Sequence, residues 1–379
     1  MTGLGQTLAT LARRSLDSAQ SGVRGTARMV ACEIAPNPGA LKMLIYVPAG
    51  LLLPGAPLVV VLHGCTQGGE AYAEGAGWLT LADRFGFVVL CPEQTAANNP
   101  NRCFNWFQTG DTTRDAGEAA SIAAMTRKAV ADNAIDPERV FVTGLSAGGA
   151  MTAAMLATYP ELFAAGAVVA GLPHGAAANM SEAFGAMAKP KARESAAWGE
   201  KVRTASDYAG RWPRISIWHG TADTTVRPAS ADALVQQWTN VHGLTGAPHK
   251  ARTPQGRVFE VWMSPSGEPL VENHRIPGLA HGTPLKTQGP DGVGTAGPFL
   301  LDVGISSSLE IALGWGIAQV EVGSRPATLT DSDGSSAHGS AAGNHRRSSQ
   351  PAPDGTAPQR PNAVTSVIEN ALRAAGLMR

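Results

Sequence analysis

The stretch Val140-Phe141-Val142-Thr143-Gly144-Leu145-Ser146-Ala147-Gly148-Gly149 decides the fold. Val140–Thr143 reads as a strand, and Gly148–Ala157 reads as a helix. Between them stands a G-x-S-x-G sequence. A strand that turns at once into a helix there strains the Ser146 backbone. Side chains at Gly144 and Gly148 would collide with the neighbouring strand and helix. The hydroxyl is then pushed to the top of the sheet, beside the positive end of the following helix. An ordinary Gly-rich turn is the competing reading. The strand before and the helix after favour a nucleophile.

Outward from this point the pattern alternates. Met29–Ile34, Lys42–Pro48, Pro57–Leu62, Phe87–Cys91, Arg139–Thr143, Ala165–Ala170, Arg214–Trp218 and Arg257–Met263 read as strands, with Val271–Ile276 strand-like. Trp78–Phe85, Asp115–Ala131, Ala147–Tyr159 and a segment near Ala229–Val241 read as helices. The wholly apolar Pro57–Leu62 suits a central strand buried on both faces. Strands alternating with helices predict an α/β fold, with a mostly parallel central sheet and helices on both faces. With G-x-S-x-G at a strand-to-helix turn, this is the α/β-hydrolase arrangement.

The catalytic domain is read over 28–321. Before it, residues 1–27 form an N-terminal segment, with Leu4, Leu8 and Leu11 at helical spacing. Residues 322–362 are Ser-, Gly-, Pro- and Ala-rich and read as a disordered linker. Residues 363–379 read as a C-terminal amphipathic helix, with Val364, Val367, Ile368 and Ala371 on one face. Docking on the domain or self-association is its expected use, and contact with a hydrophobic granule surface is a weaker reading.

The chain has 379 residues, 44% hydrophobic and 16% charged, as in a globular enzyme. Lys plus Arg number 30, as do Asp plus Glu. That balance gives no basic excess for binding nucleic acid. No apolar run reaches the ~18 residues of a membrane span. Arg13 and Arg14 are followed by Ser, Asp and Gln, not by the apolar core of a secretory signal. The four cysteines show no metal-ligand spacing such as C-x-x-C, so a zinc site is not expected. Cys32 and Cys91 fall in strand-like runs and read as inert core residues. Cys65 and Cys103 fall in loops.

A serine hydroxyl needs a base to take its proton, and the base needs a carboxylate to orient it. The chain order for this fold is Ser, acid, His. Asp223 follows the Arg214–Trp218 strand in His219-Gly220-Thr221-Ala222-Asp223 and is the preferred acid. Capping the next helix is its alternative use, and Asp207 and Asp232 are weaker candidates. Six histidines lie between Ser146 and the linker: His174, His219, His242, His249, His274 and His281. Only His274 and His281 also follow Asp223 at or beyond the last strand. His274 lies within that strand, whereas His281 sits in a loop, so His281 is the preferred base. His219 reads as support for the turn to Asp223. An oxyanion hole needs two backbone N–H groups. Ala147 supplies one. The loop His63-Gly64-Cys65-Thr66-Gln67 supplies the other, assigned to Cys65, with His63 structural.

Four segments taken together resemble the poly(3-hydroxybutyrate) depolymerase-family esterases, which include feruloyl and acetylxylan esterases. They are His63-Gly64-Cys65-Thr66-Gln67, Asn101-Arg102-Cys103-Phe104-Asn105-Trp106-Phe107, Gly144-Leu145-Ser146-Ala147-Gly148-Gly149 and Trp218-His219-Gly220-Thr221-Ala222-Asp223. The resemblance covers roughly residues 30–320 and implies ester hydrolysis through an acyl-enzyme, without metal or organic cofactor. It carries catalytic roles to Ser146, Asp223 and His281. It also implies a Cys65–Cys103 disulfide. Trp106 is a candidate substrate-binding residue, and core packing is an equal reading. Family membership implies an extracellular location, while the N-terminus leaves a cytoplasmic one open. A linker leading only to a short helix favours soluble esters or short hydroxyalkanoate oligomers over a crystalline polyester. A feruloyl- or acetylxylan-type esterase is the alternative. An acyltransferase using the same three residues is the nearest mechanistic rival, distinguished by the product formed with an alcohol acceptor. A non-catalytic binding protein on a hydrolase scaffold is the rival from another class. Such proteins usually lose one of the three residues, and all three have a counterpart here.

Overall fold

The computed structural model of the protein describes residues 28–50, 52–253 and 256–319. The N-terminal segment to residue 27, the 322–362 linker and the C-terminal helix lie outside the described residues. The strands are β1 (Val30–Cys32), β2 (Lys42–Tyr46), β3 (Leu58–Leu62), β4 (Val88–Glu93), β5 (Val140–Leu145), β6 (Ala165–Val169), β7 (Arg214–Gly220), β8 (His249–Arg252), β9 (Val258–Met263), β10 (Pro269–Ile276), β11 (Thr283–Leu285) and β12 (Leu300–Asp302). The first ten form one sheet in the order β1-β2-β4-β3-β5-β6-β7-β10-β9-β8. From β4 to β10 every neighbouring pair runs parallel, and the outer strands are antiparallel. β11 and β12 form a separate parallel pair.

All five residues of β3 are buried. Successive side chains of a strand point to opposite faces, so layers must cover both faces of the sheet there. Leu58, Val60 and Leu62 share a core with Ile122 and Met125 of one helix and Met151 and Met155 of another. Val59 and Val61 face the other side, equally buried. The helices are α1 (Gly69–Gly75), α2 (Trp78–Phe85), α3 (Thr109–Thr112), α4 (Gly117–Asp132), α5 (Ala147–Thr158), α6 (Met180–Ala188), α7 (Ser195–Arg203), α8 (Ala229–Val241) and α9 (Ser307–Gly314). Trp315, just after α9, stacks between Trp78 of α2 at 5.8 Å and Phe141 of β5 at 4.8 Å. This apolar stack pins α9 to the sheet.

The register gathers strand ends. Leu62 pairs with Gly144, Leu145 with Val169, Val169 with Trp218, and Gly220 with Ile276. The loops after β3, β5, β7 and β10 therefore leave from one end of the sheet. The carboxyl ends of parallel strands are where open α/β sheets place their sites. One core assignment changes: Cys32 is half-buried on edge strand β1, while Cys91 is buried in β4. An edge strand has no neighbour on its outer side to cover it.

Candidate active site

The turn from β5 to α5 has the strain that its sequence requires. Ser146 has φ of 57°, in the left-handed region that non-glycine residues avoid. Its N–H donates to Val169 O of β6 at 2.9 Å. A Cβ at Gly144 would sit 2.4 Å from Gly148 O, and one at Gly148 would sit 2.2 Å from Leu62 O. Neither position has room for a side chain, because β3 and the start of α5 close on the turn.

His281 lies in the loop between β10 and β11. Its Nε2 is 2.9 Å from Ser146 Oγ, and its Nδ1 is 2.7 Å from Asp223 Oδ2. A carboxylate only accepts, so Nδ1 carries the hydrogen and Nε2 is free to accept from the serine. Asp223 is buried in the loop after β7. Its Oδ1 accepts from the N–H groups of Thr225 and Val226, each at 2.9 Å. Burial alone would raise the Asp223 pKa. Hydrogen bonds from His219 and His281 outweigh it and hold the carboxyl well below the usual range. His219 Nε2 donates to Val226 O at 2.8 Å and lies 3.4 Å from Asp223 Oδ2. It thus supports the acid's turn, as expected from its position.

The other histidines are occupied elsewhere. His274 is stacked between Trp218 and Phe259, at 3.9 and 4.3 Å, with its ring nitrogens near Arg257 and Glu272. His242 Nε2 donates to Pro213 O. His249 is exposed on β8. Asp232 pairs with Arg275. Cys65 and Ala147 both border this turn, and no loop, turn or cap bond among the described residues uses either N–H. Cys65 is disulfide-bonded to Cys103. Among the described residues, no cluster of three or more His, Cys, Asp or Glu is placed to hold a metal ion.

Comparison with known proteins identifies the family. Residues 41–261 match the family model described as Esterase PHB depolymerase. The chain belongs to that esterase family. It is 47% identical over 283 residues to poly(3-hydroxyalkanoate) depolymerase C of Paucimonas lemoignei, covering 74% of this chain and 68% of that one. It is 36% identical over 258 residues to an acetylxylan esterase of Coprinopsis cinerea, covering 65% of this chain and 67% of that one. Among solved structures, acetyl xylan esterase from Aspergillus awamori superposes with a TM-score of 0.65 at 26% identity, covering 78% of this chain and all 100% of that one. The protein is a serine-type carboxylic ester hydrolase of the α/β-hydrolase fold.

Beneath the site of this esterase lies a polar network that the sequence did not disclose. Glu118, near the start of α4, is fully buried. It accepts from Gln94 Nε2 and from the Asn105 N–H, the latter at 2.8 Å. Gln94 Nε2 also donates to Cys103 O at 3.1 Å, and the Gln94 N–H donates to His63 Nε2 at 3.0 Å. His63 Nδ1 therefore carries the hydrogen and donates to Gly64 O at 2.7 Å. Burial pushes the His63 pKa down, which keeps it neutral in this structural role. The network joins the His63–Gln67 loop to the Arg102–Phe107 loop, as does the disulfide. Trp106 is buried against Phe107, edge to face at 5.6 Å, in an apolar cluster with Ala147, Leu172 and Val226. A carboxylate in a helix's first turn reads from sequence as a cap, so Glu118 gave no earlier signal.

Proposed function

We propose that Ser146 is the nucleophile, His281 the general base and acid, and Asp223 the carboxylate that orients it. The observation that carries this reading is His281 spanning Ser146 and Asp223 at 2.9 and 2.7 Å. Ser146 Oγ attacks the ester carbonyl carbon while its proton passes to His281 Nε2. The Cys65 and Ala147 N–H groups receive the negative charge on the carbonyl oxygen. The intermediate collapses, the C–O bond to the alcohol breaks, and His281 returns the proton to the departing oxygen. Water then repeats the sequence on the acyl-enzyme and releases the acid.

For the substrate, we infer short hydroxyalkanoate oligomers or similar soluble aliphatic esters. The 47% identity to a poly(3-hydroxyalkanoate) depolymerase supports this over aromatic or sugar esters. Trp106 and the apolar cluster beside Ala147 are assigned to substrate binding, since they offer an apolar wall next to the nucleophile. The Cys65–Cys103 disulfide fits an oxidising, extracellular setting.

A kcat/KM comparison tests both parts. Substrates are 3-hydroxybutyrate trimer, methyl ferulate and p-nitrophenyl acetate, each with wild type and Ser146→Ala. The trimer should be hydrolysed with higher kcat/KM than methyl ferulate. A preference for methyl ferulate overturns the substrate assignment, and substantial turnover by Ser146→Ala overturns the nucleophile.

A further inference from the structure

The residue that follows Pro298 sits in a place made for glycine. The Leu300 N–H donates to Gly297 O at 3.0 Å, closing a four-residue turn. Its second residue is Pro298, and its third, Phe299, has φ of 62°. A turn with Pro second and positive φ third ordinarily takes Gly or Asn in that third place. A phenylalanine there is strained, and such strain persists only where surrounding structure holds it. The Phe299 side chain does not escape to solvent; it is 6% exposed.

That ring meets His281 at 6.0 Å between centroids and 77° between planes, an edge-to-face contact. The backbone of the same residue reaches the same loop. The Thr283 N–H donates to Phe299 O at 2.8 Å, two residues beyond His281. A Cβ on the intervening Gly282 would lie 2.8 Å from Phe299 O. The preceding carbonyl, Pro298 O, accepts from Gln67 Nε2 at 3.4 Å. Gln67 Oε1 in turn accepts from the Gly64 N–H at 2.8 Å. The turn thus touches both the loop that carries His281 and the loop that carries Cys65.

We propose that Phe299 is a positioning residue for His281: its ring fixes the imidazole plane between Asp223 and Ser146, which is why a bulky side chain occupies a glycine position. This rests on the assignment of His281 as the base. Chemistry depends steeply on such placement, since a shift of about 1 Å can cost about 10²-fold in rate.

Phe299→Gly separates the ring from the backbone. Glycine adopts the positive φ freely, which offsets only part of the loss of a buried ring, so the melting temperature should fall while the enzyme stays folded at the assay temperature. The ring is gone, so kcat should fall roughly 10- to 100-fold with KM little changed. Phe299→Tyr keeps the ring and should retain kcat within about threefold. A second arm makes the same change in a His281→Ala background, assayed on an activated p-nitrophenyl ester. With no imidazole to position, Phe299→Gly should change the residual rate by less than about twofold. Three results overturn the proposal: Phe299→Gly retaining wild-type kcat, Phe299→Tyr failing to retain it, or an undiminished effect of Phe299→Gly in the His281→Ala background. Wild-type activity in His281→Ala alone would instead overturn the assignment of the base, so the two failures are distinguishable.

Discussion

Asp223→Asn should abolish turnover through a single misplaced proton. Asp223 is 1% exposed, so its two oxygens have fixed partners and little room to turn. Oδ1 accepts from two backbone N–H groups, Thr225 and Val226, and Oδ2 accepts from His281 Nδ1. An asparagine must put its oxygen at one place and its NH2 at the other. With the NH2 at the Oδ1 position, the buried Val226 N–H and the half-buried Thr225 N–H lose their acceptor, at up to about 1–3 kcal/mol each. The oxygen therefore stays at Oδ1, and the NH2 faces His281. A donor opposite Nδ1 forces the hydrogen onto Nε2, and Nε2 can no longer accept from Ser146. The expected fall in kcat is about 10⁴-fold, or about 5.5 kcal/mol in the barrier. Stability should fall by about 2–4 kcal/mol, since the bonds from Thr225, Val226 and His281 all lose their charge assistance. Steady-state kinetics on p-nitrophenyl butyrate near neutral pH, with urea unfolding alongside, measures both. A folded Asp223→Asn enzyme within tenfold of wild-type kcat would refute the proton argument.

Two other perturbations have worked outcomes. Replacing Cys65 and Cys103 together by Ser opens a link across 38 positions in sequence. Loop-closure entropy sets the loss at up to about 4 kcal/mol in urea unfolding, and unchanged stability would contradict it. Burial pushes the Glu118 carboxyl up to about 8, against the two hydrogen bonds that favour its charge. In the unfolded chain it returns to about 4.3. Between those values the folded state holds the extra proton, so this group stabilises below about 4.3 and its contribution is lost as pH rises through about 8. Glu118→Gln should flatten the decline of urea midpoint with pH across that window, and an unchanged slope would count against the shift.

Much of this architecture is legible in the chain because period and punctuation carry it. The apolar run Leu58–Leu62 and the Ala- and Met-rich stretch after Ser146 announce buried elements directly. Trp78–Phe85 reads as a helix to its observed bounds, and the segment near Ala229–Val241 reads as the helix found there. The elements that escaped notice have weak patterns. Helix α1 begins and ends in Gly, α6 ends at a Lys-Pro boundary, and β8, His249–Arg252, is a charged edge strand with no apolar face. The residues now assigned to catalysis were legible because chemistry restricts their types and the fold restricts their order. Glu118 and Phe299 were not, because their meaning lies in partners far along the chain. Glu118 matters through Gln94 and Asn105, and Phe299 through His281. Neither neighbourhood leaves a local signature.

Covalent trapping tests most directly whether Ser146 Oγ is the nucleophile. The enzyme is treated with an aryl phosphonate ester: the activated serine oxygen bonds to phosphorus, the P–O bond to the aryl group breaks, and the phenol leaves with the serine's proton. Peptide mass spectrometry then locates the adduct. One adduct per chain is expected, on Ser146, formed as esterase activity is lost and absent from Ser146→Ala. Loss of activity with the adduct on another residue, or with Ser146 unmodified, would contradict it.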